Sequence, residues 1–103
     1  MINVVIYLKK EHDPNQLVGL LLSKKLIASA SIDFDNISYK MKDEIIVKEI
    51  FNVITAQSKA LLFNEIVQLS EKEIGQSIAI NSTPIVGANG FFNESVRSKT
   101  IPI

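Results

Sequence analysis

The chain has 103 residues, 47% of them hydrophobic and 21% charged, with eleven basic side chains balancing eleven acidic ones. That length predicts one domain over residues 1–103 with a single core, and the charge balance leaves no basic footprint for nucleic acid or an anionic membrane. The lack of cysteine excludes disulfides, thiolate catalysis and zinc–thiolate sites.

Residues 2–8 (Ile2-Asn3-Val4-Val5-Ile6-Tyr7-Leu8) are nearly continuously apolar, which predicts a central strand covered on both faces. No basic segment precedes this run, unlike a signal peptide, and Lys9 and Lys10 follow it. No stretch reaches the ~20 apolar residues of a membrane span. The expected location is the cytoplasm, where the sequons at Asn81 and Asn93 carry no consequence. Asp13-Pro14 predicts a helix start, because Asp13 accepts from free N–H groups and Pro14 lacks only an orphan one. Leu17, Leu20 and Leu21 form its buried stripe, with Lys24 and Lys25 in its last turn.

From Ile27 the period changes to two. Ala28, Ala30, Ile32 and Phe34 share one face, and Ser29, Ser31, Asp33 and Asp35 the other. The strand is expected to bend near Asp35-Asn36 and to resume through Ile37 and Tyr39. Lys42-Asp43-Glu44 is the expected turn. The return strand, 45–55, places Ile45, Val47, Phe51 and Val53 on one face and Ile46, Ile50 and Ile54 on the other. Ser58 is the expected N-cap of a second helix, with Leu61, Leu62, Ile66, Val67 and Leu69 as its stripe and Gly75 at its end. Residues 77–82 alternate as a strand with Ile78 and Ile80 inward, and Pro84 is expected to stop the pairing. A turn over 87–90 leads to a short helix over 91–96, with Phe92 and Val96 inward.

This β-α-β-β-α-β order predicts an α+β, ferredoxin-like sandwich. Right-handed crossovers give a four-stranded antiparallel sheet with both main helices on one face. The other face, carrying Ile46, Ile50 and Ile54, would be wet in a monomer, which predicts self-association.

Three strings resemble the CutA divalent-ion-tolerance family, a trimeric relative in fold of the PII signalling proteins, over nearly the whole chain. Lys25-Leu26-Ile27-Ala28-Ser29-Ala30-Ser31-Ile32 is similar to the family's helix-into-strand passage. Ile37-Ser38-Tyr39-Lys40-Met41-Lys42-Asp43-Glu44 is similar to its hairpin, with Met41 at the usual tryptophan. Thr83-Pro84-Ile85-Val86-Gly87-Ala88-Asn89 resembles its Leu-Pro-Ile-x-x-Gly-Asn ending, followed by an aromatic helix at Phe91 and Phe92. The resemblance implies a homotrimer, no catalysis, and a role in divalent metal tolerance. The chain departs from the family where Ser29 replaces a cysteine and where Glu73-Ile74-Gly75-Gln76 replaces a His-Pro-Tyr-Glu loop. Soft and imidazole ligands, the ones that select copper, are therefore missing.

No nucleophile–base pair can be assembled, so no catalytic residue is assigned. The metal candidates are His12, the only histidine, and the strand pair Asp33 and Asp35, with Asp43 and Glu44 across the hairpin. Carboxylates suit Mg²⁺ or Ca²⁺, and a solvated loop and a charged strand edge are the plain alternatives. Ser29 and Ser31 lack a nearby base. Lys9-Lys10 lacks the glycine-rich loop of a phosphate site, and Arg97, the only arginine, is far from the first loop that acylphosphatases use. Glu71, Lys72 and Glu73 read as the wet end of a helix, and Phe91-Phe92 as core or subunit packing. The alternative function is a PII-like sensor holding a small molecule between subunits.

Overall fold

Ile2, Val4, Ile6 and Leu8 are buried while Asn3, Val5 and Tyr7 are half-buried, so β1 (Ile2–Lys9) presents one covered face rather than two. A computed structural model describes residues 1–103. After β1 come α1 (Pro14–Ser23), β2 (Ser29–Lys42), β3 (Ile45–Ser58), a 3₁₀ turn (Ala60–Leu62), α2 (Phe63–Ile74), β4 (Ala79–Pro84) and α3 (Gly90–Lys99). The strands form one antiparallel sheet in the order β2-β3-β1-β4, the ferredoxin-like arrangement. No helix is long and apolar enough to cross a membrane.

Helix α1 starts as its sequence implies. Asp13 accepts from the Asn15 N–H at 2.9 Å, and Pro14 occupies the first turn. Leu17 and Leu21 are fully buried. The helix stops at Ser23, so Lys24 and Lys25 lie beyond its last turn. There the Leu26 N–H reaches Leu21 O and the Lys25 N–H reaches Leu22 O, a Schellman ending that leaves Lys25 at φ +57°. A left-handed backbone is costly for a side chain with Cβ and free for glycine. Lys25→Gly is therefore expected to stabilise the fold by about 0.5–1 kcal/mol, read as a Tm rise of roughly 2–8 °C in thermal unfolding.

The core face of the sheet is built from register. Ile54 in β3 lies opposite Ile6 in β1 and Ile32 in β2, and Ile80 lies opposite Ile6 on the far side. Leu17, Leu21, Leu62 and Ile66 cover this layer. Ile54 is thus at the centre of the core with no exposure, which corrects its expected place on an open face.

Ile46 and Ile50 share that strand parity but are exposed for another reason. β1 pairs with β3 only from Phe51 to Ser58. The rest of the β2–β3 hairpin overhangs the body as an arm. Its 14-residue strands reach most of the 46 Å long axis. The expected bend is a bulge: register shifts between Asp33 and Asn36, and Asp35 adopts φ +58°. The buried Asn52 side chain accepts from the Asp35 N–H at 3.1 Å and so satisfies the interrupted ladder. The extra residue reverses side-chain parity in β2. Ile37, Tyr39 and Met41 then join Ile50 and Ile46 in one exposed apolar stripe. Asp43 and Glu44, at φ +51° and +64°, close the arm in a two-residue turn.

Ser58 does not cap the second helix. It ends β3 fully buried, and its hydroxyl donates to Leu26 O. Helix α2 is entered through the 3₁₀ turn without a side-chain cap. Leu62 and Ile66 are buried, but Leu61 is 78% exposed. Gly75 ends α2 at φ +83°, as expected. β4 runs later than expected, and Pro84 is its last paired residue, tolerated because β4 is an edge strand. Asn89 accepts from the Phe92 N–H at 2.9 Å to open α3, which buries Val96 and leaves Phe91 exposed.

Candidate functional site

Three connections meet at the carboxyl end of β1: the β1–α1 loop, the α2–β4 turn and the base of the arm. They enclose a cleft of about 190 Å³ whose lining includes Tyr7, His12, Lys40, Glu49, Phe51 and Gln76. The Tyr7 and Phe51 rings pack edge to face, with centroids 6.0 Å apart and planes at 80°. Lys40 and Glu49 form an ion pair on the arm. His12 Nε2 lies 2.9 Å from Gln76 Nε2 and 3.7 Å from Glu11 Oε1.

The metal candidates do not converge. Asp35 is engaged by Lys10 at the bulge. Asp33 accepts from Asn36 Nδ2 at 3.3 Å. His12 sits across the cleft with Gln76. Asp43 and Glu44 are at the arm tip, on the order of 25 Å along the strand from the aspartates, so they do not approach them. No three His, Asp or Glu side chains gather as a metal-holding group. Ser29 donates to Gln57 Oε1 at 2.5 Å, and Gln57 Nε2 donates to Asn3 Oδ1 at 3.0 Å. Hydroxyl and amide groups already satisfied by one another, with one imidazole elsewhere, do not fit a copper site.

Two residues read as wet helix surface have structural partners. Glu71 accepts from the Ile78 N–H at 3.2 Å and steers the chain from α2 towards β4. Glu73 accepts from Gln16 at 3.4 Å. Lys40 and Glu49 escaped sequence reasoning although a signal existed. A two-residue turn at Asp43-Glu44 fixes the register that places Ser38 opposite Glu49 and Lys40 opposite Val47. That puts Lys40 and Glu49 on a diagonal of one face.

No family model matches the sequence, and no curated protein matches it. Solved structures do match. CutA1 from Oryza sativa superposes with a TM-score of 0.86 at 19% identity, covering 97% of this chain and 93% of that one. The divalent cation tolerance protein of Thermus thermophilus gives 0.83 at 17%, covering 97% and 99%. The divalent ion tolerance protein CutA1 from Ehrlichia chaffeensis gives 0.79 at 21%, covering 97% and 95%. The chain has the CutA1 fold. Within it, the three strings that resemble the CutA family fall at the Schellman-ended junction of α1 and β2 (25–32), on the arm (37–44) and at the connection from β4 to α3 (83–89).

Proposed function

We propose that the protein is a non-enzymatic homotrimer of CutA type, acting in divalent-cation tolerance in the cytoplasm. The observation that carries this reading is the near full-length match of the CutA1 fold to proteins whose names state that role. The overhanging arm supports the assembly. Tyr39 is 68% and Ile46 71% exposed in the isolated chain, and burying such side chains against a second copy is worth about 1.5–3 kcal/mol each. A head-to-tail contact that closes after three copies would cover every stripe.

The non-enzymatic reading is supported by the engagement of His12 with Gln76 and of Ser29 with Gln57, which leaves neither poised as base or nucleophile. The tolerance role is not tied to stored copper, given the donor set. A hard cation would meet Asp33 before Asp35, which Lys10 holds.

Native mass spectrometry with Cu²⁺, Zn²⁺ and Mg²⁺ tests both parts. The expected species is a trimer without stoichiometric copper. A monomer at micromolar concentration would overturn the assembly, and one copper per subunit would overturn the ligand reading. Loss of the protein is expected to lower growth in excess divalent cation, and unchanged growth would remove the role. Fractionation that finds the protein in the periplasm, the compartment named for a structural neighbour from Archaeoglobus fulgidus, would displace the cytoplasmic assignment.

A second reading, a small-molecule sensor, is favoured by the cleft at the arm base. It joins an aromatic floor to charged groups of both signs.

A further inference from the structure

We propose that the cleft between Tyr7, Phe51, His12 and the Lys40–Glu49 pair is a binding site for a free α-amino acid with an apolar side chain. This deepens the sensor reading and rests on it.

Size decides first. At about 190 Å³ the cleft is smaller than the roughly 300–1,000 Å³ of drug-sized sites, so it matches a metabolite of amino-acid size better than a nucleotide. Charge decides next. Lys9, Lys40 and Glu49 all belong to the same lining. Lys9 has no ionic partner, and Lys40 is paired only with Glu49. A ligand carrying one charge of each sign meets a complement for both: its ammonium at Glu49, its carboxylate at Lys9 and Lys40. A purely cationic ligand would meet a lining with two lysines against one carboxylate, and a purely anionic one would leave Glu49 without a partner. The floor decides the side chain. Tyr7 and Phe51 offer ring surface with Ile74 and Ile78 beside them, apolar matter suited to an aliphatic or aromatic group.

Two other grooves carry less. The one lined by Asn3, Gln57, Ile85 and Phe92 has no charged side chain. The one between α2, the segment after α1 and the C-terminal tail at Ile101 sets Lys24, Lys72 and Glu65 on exposed surface.

The test is thermal unfolding of the full chain with each of the twenty L-amino acids and, separately, with ATP, ADP and AMP, in the native protein and in Glu49→Gln. Glu49 lies in a surface ion pair, so the variant is expected to fold normally, as circular dichroism will check. An apolar L-amino acid at roughly five times its Kd is expected to raise Tm by about 4–8 °C. Calorimetric titration of Glu49→Gln is expected to show at least a tenfold weaker Kd. Equal binding by Glu49→Gln would overturn the site. Stabilisation by a nucleotide alone would overturn the amino-acid assignment and leave the sensor reading standing. No stabilisation by any of these ligands at 10 mM, on the order of a weak metabolite Kd, would overturn both.

Discussion

Replacing Ile54 by alanine is expected to destabilise the protein by about 2–5 kcal/mol, the cost of a cavity in a well-packed core. Ile54 has no solvent exposure. It is flanked in the sheet by Ile6 and Ile32, and it belongs to the same cluster as Leu17, Leu21, Leu62 and Ile66. The deleted atoms lose apolar contacts on every side, and a sheet backbone held on both flanks has little room to collapse into the gap. Urea unfolding at several protein concentrations is the measurement, because subunit association adds a concentration-dependent share to apparent stability. A cost below ~1 kcal/mol, ordinary for a solvent-facing site, would return Ile54 to an open face and refute the register.

The paired change Met41→Lys with Ile46→Glu is expected to dissociate the assembly without unfolding the subunit. These residues face each other across the arm and are 63% and 71% exposed. Opposite charges directly across a ladder keep the hairpin compatible with its own pairing. The apolar stripe, however, is interrupted at its outer end, and two charges would have to be desolvated in any contact with a second copy. The expected loss is 100-fold or more in association. Light scattering should then report 11.4 kDa in place of three times that mass, with an unchanged far-ultraviolet spectrum. A trimer that survives both charges would place the subunit contact elsewhere than the stripe.

The two substitutions separate what one strand pattern conceals. Ile46, Ile50 and Ile54 share parity, and a sequence reading treats them as one face with one fate. Parity specifies which side of the ladder a residue takes. It does not specify what lies against that side. Ile54 has α1 and α2 above it and is sealed. Ile46 has neither, because β1 ends its pairing at Phe51. The same logic explains Ser58, whose position before a helical stripe resembles a cap. Its hydroxyl instead serves the carbonyl of Leu26, more than thirty residues away in sequence. Asp33 and Asp35 looked like a pair on one face, and the bulge between Asp33 and Asn36 gives them separate partners, Asn36 and Lys10.

The cleft was the least legible part. Tyr7, Lys40, Glu49, Phe51 and Gln76 come from four separate places in the chain. Each alone reads as strand or loop surface.

The sequence by itself determined the local elements: the Asp13-Pro14 start, the Gly75 stop, the period-two strands, the bend at Asp35-Asn36 and the element order that selects a ferredoxin-like sheet. These depend on backbone preferences and periodicities spanning a few residues, which neighbouring side chains encode directly. Only the tertiary structure decided that Ile54 is sealed while Ile46 overhangs, that the bulge gathers Ile37, Tyr39 and Met41 into one stripe, and that His12 meets Gln76 beside the Lys40–Glu49 pair. Those outcomes depend on which distant segments end beside one another. Burial and partnership are properties of that meeting, and no single strand or helix contains them.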